Sequence, residues 1–248
     1  MAWVGTACQQ VRQLVPRIWR ELGVRLRAGA VRRLLHRAGY SWKRMRRSLK
    51  GQRNATLFAA CQQRLASLQA AEARGELALY YADQVRFSRS APVPYAWQVR
   101  GQPPVRLPAE RGTHGGHSVL GLWRPGGAQG QHFLGWMADT AFTAELVAGA
   151  LDEFSQQLDG PTVLVLDNAS VHRAALVQAR RETWAERGLT LLFLPAYSPE
   201  LNRSEILWRF CQHYWLTPAA YESPHTLREQ VTELIRSIGT KHYTITFA

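Results

Sequence analysis

Residues 162–172, TVLVLDNASVH, carry the reading on which the fold turns. Val163 to Leu166 contain no polar residue, and Asp167 follows at once. A short run that is apolar on both faces predicts a strand covered on both sides, as in the middle of an α/β sheet. Asp167 then emerges at its carboxyl end, where open α/β sheets build their sites.

Working outward, Phe142, Leu146, Val147, Ala150, Leu151, Phe154 and Leu158 form a helical stripe before this strand. A helix from about Arg173 to Arg187 and a strand at Thr190 to Leu194 are expected after it. Further upstream the pattern is strand-like. In LALYYADQVRF (77–87), Leu77, Leu79 and Tyr81 share a face with Asp83, and strands are expected near Tyr95–Arg100, His117–Trp123 and Gln131–Ala138. An antiparallel meander that continues into βαβα predicts an α/β fold, an RNase H-like mixed sheet flanked by helices. A small α-helical, helix-turn-helix-like segment precedes it.

That segment is set apart by charge. Residues 1–50 hold 13 Lys and Arg against Glu21 alone, a net of +12, whereas residues 51–248 hold 18 against 17, a net of +1. An excess so concentrated points to a polyanion, with nucleic acid favoured over a lipid surface or an acidic protein. A helix is expected over Gln9–Leu22, with Pro16 tolerated only near a kink or a late start and Gly23 as its stop. In the next helix Val31, Leu34, Leu35 and Ala38 line one side, leaving Arg32, Arg33 and Arg37 on the other. SWKRMRRSLK (41–50) follows as a wing or arm. Lys43, Arg44, Arg46 and Arg47 would grip phosphates without choosing sequence, and base readout falls to the helix. Trp42 could pack on a sugar or base. The expected domains are a partial helix-turn-helix DNA-binding segment at 1–50, a helical connector at 51–75 with its helix near Thr56–Arg74, and an RNase H-like catalytic domain at 76–248.

Hydropathy and cysteine usage exclude other classes. The longest apolar runs are far too short to span a bilayer, and MAWVGTACQQ lacks a basic region before an apolar stretch. The expected setting is cytoplasmic and nucleoid-associated, with no membrane. Cys8, Cys61 and Cys211 lie more than fifty positions apart, which gives neither a disulfide framework nor a zinc site.

The chemistry rests on three carboxylates. Asp83 and Asp167 end or interrupt β-type runs, and Glu205 lies just past a Pro-containing turn in FLPAYSPELNRSEILWRF (193–210). On its helix Glu205 belongs to the stripe Leu201, Glu205, Trp208, Cys211 and Trp215, so its carboxylate is expected to face the sheet. Carboxylates gathered there repel one another unless a cation holds them ionised. Oxygen-only ligands favour Mg2+ or Mn2+ over zinc. Two ions serve in-line displacement at a phosphodiester, with Asp83 bridging them, Asp167 holding one and Glu205 the other. Singly, each acid also has a plain structural role: Asp83 as a strand-end cap, Asp167 with Asn168 opening a turn, Glu205 pairing with Arg209 at i+4. Their agreement with one topology favours the joint site.

LVLDNASVH (164–172) and LLFLPAYSPELNRSEILWRF (191–210) resemble the second and third catalytic blocks of DDE-type transposases, in the bacterial insertion-sequence branch of the mariner superfamily. YYADQVRFS (80–88) and YAWQVRGQ (95–102) resemble the first acidic block and the Trp-containing strand after it. The resemblance spans roughly Val11 to Phe210 and puts Asp83, Asp167 and Glu205 on the family's metal-binding triad. It implies magnesium-dependent DNA transposition: cleavage at the element's terminal repeats, strand transfer into a short target, commonly TA, and a homodimer holding paired ends. His172 matches a His of the second block, where it orients DNA or a triad neighbour or is simply a polar residue at a helix N-terminus. Asn168 is a further supporting candidate, and Asn202, with Tyr197 and Pro199, shapes the turn into the last helix.

The match has departures. Asp167 and Glu205 are separated by 37 residues, a few more than is usual in the family. Gln84 stands where an acid often follows the first Asp, and Arg203 and Ser204 stand where Pro and Ile usually precede the Glu. The family also carries another helix-turn-helix upstream, so a truncated copy or one frame of a split element is expected. The alternatives are a non-catalytic DNA-binding remnant or repressor that uses only the basic segment, and a general RNase H-like nuclease.

Overall fold

The structure is a computed structural model and describes residues 10–42, 50–90, 98–103, 106, 116–240 and 243–245. The chain divides into two compact units, Met1–Ser48 and Leu49–Ala248.

In the smaller unit α1 spans Val11–Leu22 and α2 spans Ala28–Arg37. Pro16 is accommodated inside α1, and Gly23 closes the helix in the left-handed region at φ 70°, which costs a glycine nothing. Leu14 and Ile18 of α1 pack on Val31 of α2. The expected apolar face of α2 is narrower than its spacing suggested: Val31 is buried and Leu35 half-buried, but Leu34 is exposed. With one partner helix, only a single stripe finds cover. Arg32, Arg33 and Arg37 are exposed.

The larger unit begins with α3, Ala55–Ala73, capped by Asn54, whose side chain accepts from Leu57 N. Five strands follow: β1 Ala78–Phe87, β2 His117–Arg124, β3 His132–Ala138, β4 Thr162–Leu166 and β5 Leu189–Phe193. They lie in the order β3-β2-β1-β4-β5, antiparallel from β1 to β3 and parallel across β1, β4 and β5. This is the meander continued into βαβα. Of the strand expected near Tyr95–Arg100, residues 95–97 lie outside the described residues and 98–100 are not extended into a sheet.

Both faces of the sheet are covered, which is why β4 is apolar from Val163 to Leu166. On one face Tyr80, Leu120, Leu122, Leu164 and Leu166 pack under α4, Ala144–Gln156, together with Trp184. Thr143 caps α4, and Phe142 and Val147 on either side of that cap are both buried, as in a hydrophobic staple. Leu146, placed in the inward stripe by spacing, is exposed instead. On the other face Leu65 of α3 packs on Leu79, Tyr81 and Val165.

The helix expected over Arg173–Arg187 is broken into a 3-10 turn at Ser170–Arg173, α5 at Ala175–Ala179 and α6 at Arg181–Glu186. The second break falls at Arg180, whose guanidinium pairs with Asp152 of α4. Trp184 Nε1 donates to the same carboxylate at 2.6 Å. Beyond β5, α7 spans Ser204–Phe210, a π turn follows at Cys211–Trp215, and α8 spans Pro224–Ser237. These cover β2 and β3 through Leu207, Trp208, Leu227 and Val231. No helix among the described residues is long and apolar enough to cross a membrane.

Candidate active site

The register of β1 against β4 pairs Tyr81 with Val165. Two residues further on come Asp83, in the middle of β1 where its pairing with β4 has ended, and Asp167, just past the carboxyl end of β4. Side chains repeat every second residue along a strand, so both carboxylates leave the sheet on the face of Leu79, Tyr81 and Val165. The charge of Asp167 contributes to the raised titration of Asp83.

Glu205 arrives by a different device. Past Tyr81, β1 no longer pairs with β4, and two residues at the start of α7 and just before it take up β1 carbonyls. Ser204 Oγ donates to Tyr81 O at 2.9 Å, and Asn202 Nδ2 donates to Ala82 O at 2.9 Å. Both side chains are buried, so each bond satisfies a polar group that would otherwise cost about 1–3 kcal/mol. The first turn of α7 is thereby fixed beside Asp83. Trp208, one turn on, lies over Gly121, the residue opposite Asp83 on β2. A Cβ at position 121 would stand 2.6 Å from the Trp208 ring and 2.7 Å from Phe133.

The direction expected for Glu205 is corrected by this arrangement. The buried stripe of α7 is Ser204, Leu207, Trp208 and Cys211, and Glu205 sits on its exposed flank. Leu201 belongs to a separate 3-10 turn at Pro199–Leu201, and Asn202 is extended at φ −90°, ψ 107°. The helical phase therefore restarts at Ser204, and spacing counted through from Leu201 is off by one residue. The alternative pairing of Glu205 with Arg209 is not formed among the described residues.

The three carboxyl groups differ in setting. Burial, helped by the charges of Glu205 and Asp167, raises Asp83 to about 7, against the pull of the Gln84 N–H, which donates to Asp83 Oδ1 at 2.8 Å. Partial burial and then Asp167 raise Glu205. Asp167 is instead lowered, chiefly by His172, whose Nδ1 lies 2.7 Å from Asp167 Oδ1, and also by the Ala169 N–H at 3.0 Å. His172 is 1% exposed, and its Nε2 lies 3.2 Å from Gln84 Nε2. Since the Gln84 amide nitrogen can only donate, the polarity runs from Gln84 to His172 Nε2 and from His172 Nδ1–H to Asp167. The chain uses Gln84 and His172 to aim one oxygen of Asp167 and leaves the other free. Gln84 was legible only as a departure from an acidic position; its role needs the fold.

The donor set fits a divalent cation in kind: three carboxylates, no thiol, and a mutual repulsion that a cation would relieve. Among the described residues no three His, Cys, Asp or Glu side chains already form a ligand group. Asn168 is exposed and its Oδ1 accepts from Arg173 at 3.2 Å. His117 meets Asp139 at 2.9 Å, and His114 lies outside the described residues. Lys43, Arg44, Arg46 and Arg47 also lie outside them; Trp42 is 76% exposed.

The model of the DDE superfamily endonuclease family matches residues 78–228, the sheet and all three acids. The chain belongs to the DDE superfamily endonucleases. The N-terminal part of this DDE endonuclease matches the winged helix-turn-helix family over residues 5–60. Among solved structures its fold is similar to that of a Mos1 transposase paired-end complex with left transposon end, at 17% identity and TM-score 0.61, over 95% of this chain and 69% of that one. It is also similar to the Mos1 strand transfer complex, at 17% identity and TM-score 0.60, over 95% and 68%. A Mos1 mariner paired-end complex with Mn matches at 17% and 0.59, over 95% and 69%. At these identities the likeness speaks to the fold. No curated protein matches the chain.

Proposed function

We propose that this DDE endonuclease is a DNA transposase that cuts strands at the ends of its own element and joins them to target DNA. The observation that carries the reading is Asp83 on β1 and Asp167 just past the end of its parallel neighbour β4, with Asp83 raised by burial and by the charges of Glu205 and Asp167. In this reading Asp83, Asp167 and Glu205 hold two Mg2+ or Mn2+ ions. Bound there, such ions activate the attacking oxygen and stabilise the leaving one. Asp83 contributes a carboxylate whose charge is tolerable only beside a cation. Asp167 is aimed by His172 and Gln84, as carboxylate ligands commonly are by a hydrogen-bonded neighbour. Glu205, exposed and, among the described residues, in no ion pair, would supply the third carboxylate to such ions. The nucleophile is water or a DNA 3′-hydroxyl, so no side chain need attack.

Arg32, Arg33 and Arg37 on α2, with Lys43, Arg44, Arg46 and Arg47, supply phosphate contacts. The structurally similar Mos1 transposase has been solved with a transposon end, in a strand transfer complex and with Mg or Mn, which supports DNA as substrate and a divalent metal as cofactor. Paired ends call for two copies of the chain.

The test uses the full chain and a labelled duplex carrying the element end and its flank. Wild type is expected to nick at the boundary with Mg2+ or Mn2+ and to leave a scrambled end intact, and Asp167→Asn to bind but not cut. Binding without any metal-dependent cleavage would make this a DNA-binding protein only. Cutting of both duplexes alike would make it a general nuclease.

A further inference from the structure

A groove of about 640 Å3 opens between α3 and the end of β5, walled in part by Asn168, the neighbour of Asp167. Three arginines line it: Arg64 from α3, Arg173 from the turn after Asp167, and Arg181 from α6. No acidic residue does. Arg173 spends one N–H on Asn168 and Arg181 one on Gln178 at 3.1 Å, and among the described residues none of the three forms an ion pair. The guanidinium groups therefore face the groove with most of their donors unspent. Its floor is apolar, from Leu57, Leu192 and Leu194. Phe193 carries the Arg181 guanidinium 5.6 Å from its ring centre. Asn168 forms part of the wall, so the groove starts one residue from Asp167.

Unpaired positive charge over an apolar, partly aromatic floor suits a ligand that is anionic along one edge and flat and apolar along the other. A single nucleic acid strand has that chemistry, because its phosphates lie on one side and its unpaired bases expose their faces. In a duplex those faces are covered by stacking and the floor would gain nothing. The volume falls within the range of about 300–1,000 Å3 that encloses a small organic ligand, enough for one or two nucleotides. We propose that this groove holds a single DNA strand leading away from Asp167, its phosphates on Arg64, Arg173 and Arg181 and an unpaired base against the apolar lining of Leu57, Leu192 and Leu194. This rests on the transposase reading, in which cutting creates such a strand.

Cys61 lines the groove and reports on it, while Cys211 is fully buried. The experiment follows iodoacetamide alkylation of Cys61 in the full chain, resolved by mass spectrometry, in buffer without divalent ions. A short oligothymidylate is expected to slow alkylation, and Arg64→Ala or Arg181→Ala to raise the concentration needed for protection about tenfold. Equal protection by a duplex of the same length, equal protection by inorganic phosphate, or protection unchanged in both arginine variants would overturn the proposal. Asp167→Asn, which abolishes cutting, should keep the protection. If wild type cuts the element end yet oligothymidylate leaves Cys61 unprotected, the groove alone is refuted; a protected protein that never cuts refutes the transposase reading.

Discussion

Asp83 of β1 and Asp167, just past the end of the parallel neighbour β4, each lie two residues beyond the Tyr81–Val165 register pair. Burial, with the charges of Glu205 and Asp167, makes the ionised form of Asp83 a liability to the metal-free fold and an asset to a loaded site. Asp83→Asn should therefore raise the metal-free melting temperature at neutral pH while removing the rise that Mn2+ gives wild type. Metal assistance is worth several kcal/mol, so cleavage of the element end should fall by about three orders of magnitude or more. Calorimetry with and without Mn2+ checks the first part and a gel assay the second.

His172 touches Asp167 through one ring nitrogen and meets Gln84 at the other. Losing such a positioning partner typically costs about 10–100-fold in metal affinity. His172→Ala should shift the Mn2+ concentration for half-maximal cleavage by that amount, and saturating Mn2+ should recover most of the rate. Gln84→Leu should give the same kind of shift, smaller, because the direct bond to Asp167 survives.

Gly121 gives the Trp208 ring its place. Gly121→Ala should cost about 1–3 kcal/mol by overpacking, and activity should fall further than stability because α7 moves with the ring and Glu205 moves with α7. In a denaturation cycle with Trp208→Leu, the double variant should be less destabilised than the two single changes added together.

Glu72, buried on α3, accepts from Leu79 N at 3.3 Å, and burial raises its carboxyl above the ordinary value. Below the unfolded pKa the group is neutral in both states and neutral burial costs little. As pH rises through the unfolded and then the folded pKa, the folded state must carry a charge it disfavours, and stability is lost. Glu72→Gln keeps an acceptor for Leu79 but does not titrate. The difference in melting temperature, variant minus wild type, should grow from acid toward neutral pH and then level off.

The strands were legible where chemistry repeats at short range. The unbroken run Val163–Leu166 and the alternation Leu77, Leu79, Tyr81, Asp83 gave β4 and β1 and the face of both aspartates. What failed was phase across a break: Asn202 interrupts the helix, so Glu205 was assigned to the wrong flank. Helix continuity failed at Arg180, where an ion pair to Asp152 comes from a distant segment. Leu34 and Leu146 fit an inward spacing yet remain exposed, because spacing cannot count how many neighbours a helix has. Gly121 sits inside a strand for a reason, the Trp208 ring, that exists only after folding. Gln84 changed meaning for the same cause.

Where the third acid ends up is decided by two bonds, from Asn202 and Ser204 to the backbone of β1, formed at the last step before α7 begins. The path the polypeptide follows after Asp167 can lengthen or shorten without moving that endpoint. The 37 intervening residues are a detour whose extent the chemistry does not sense, and the broken helices at Ala175–Ala179 and Arg181–Glu186 are where the slack is stored.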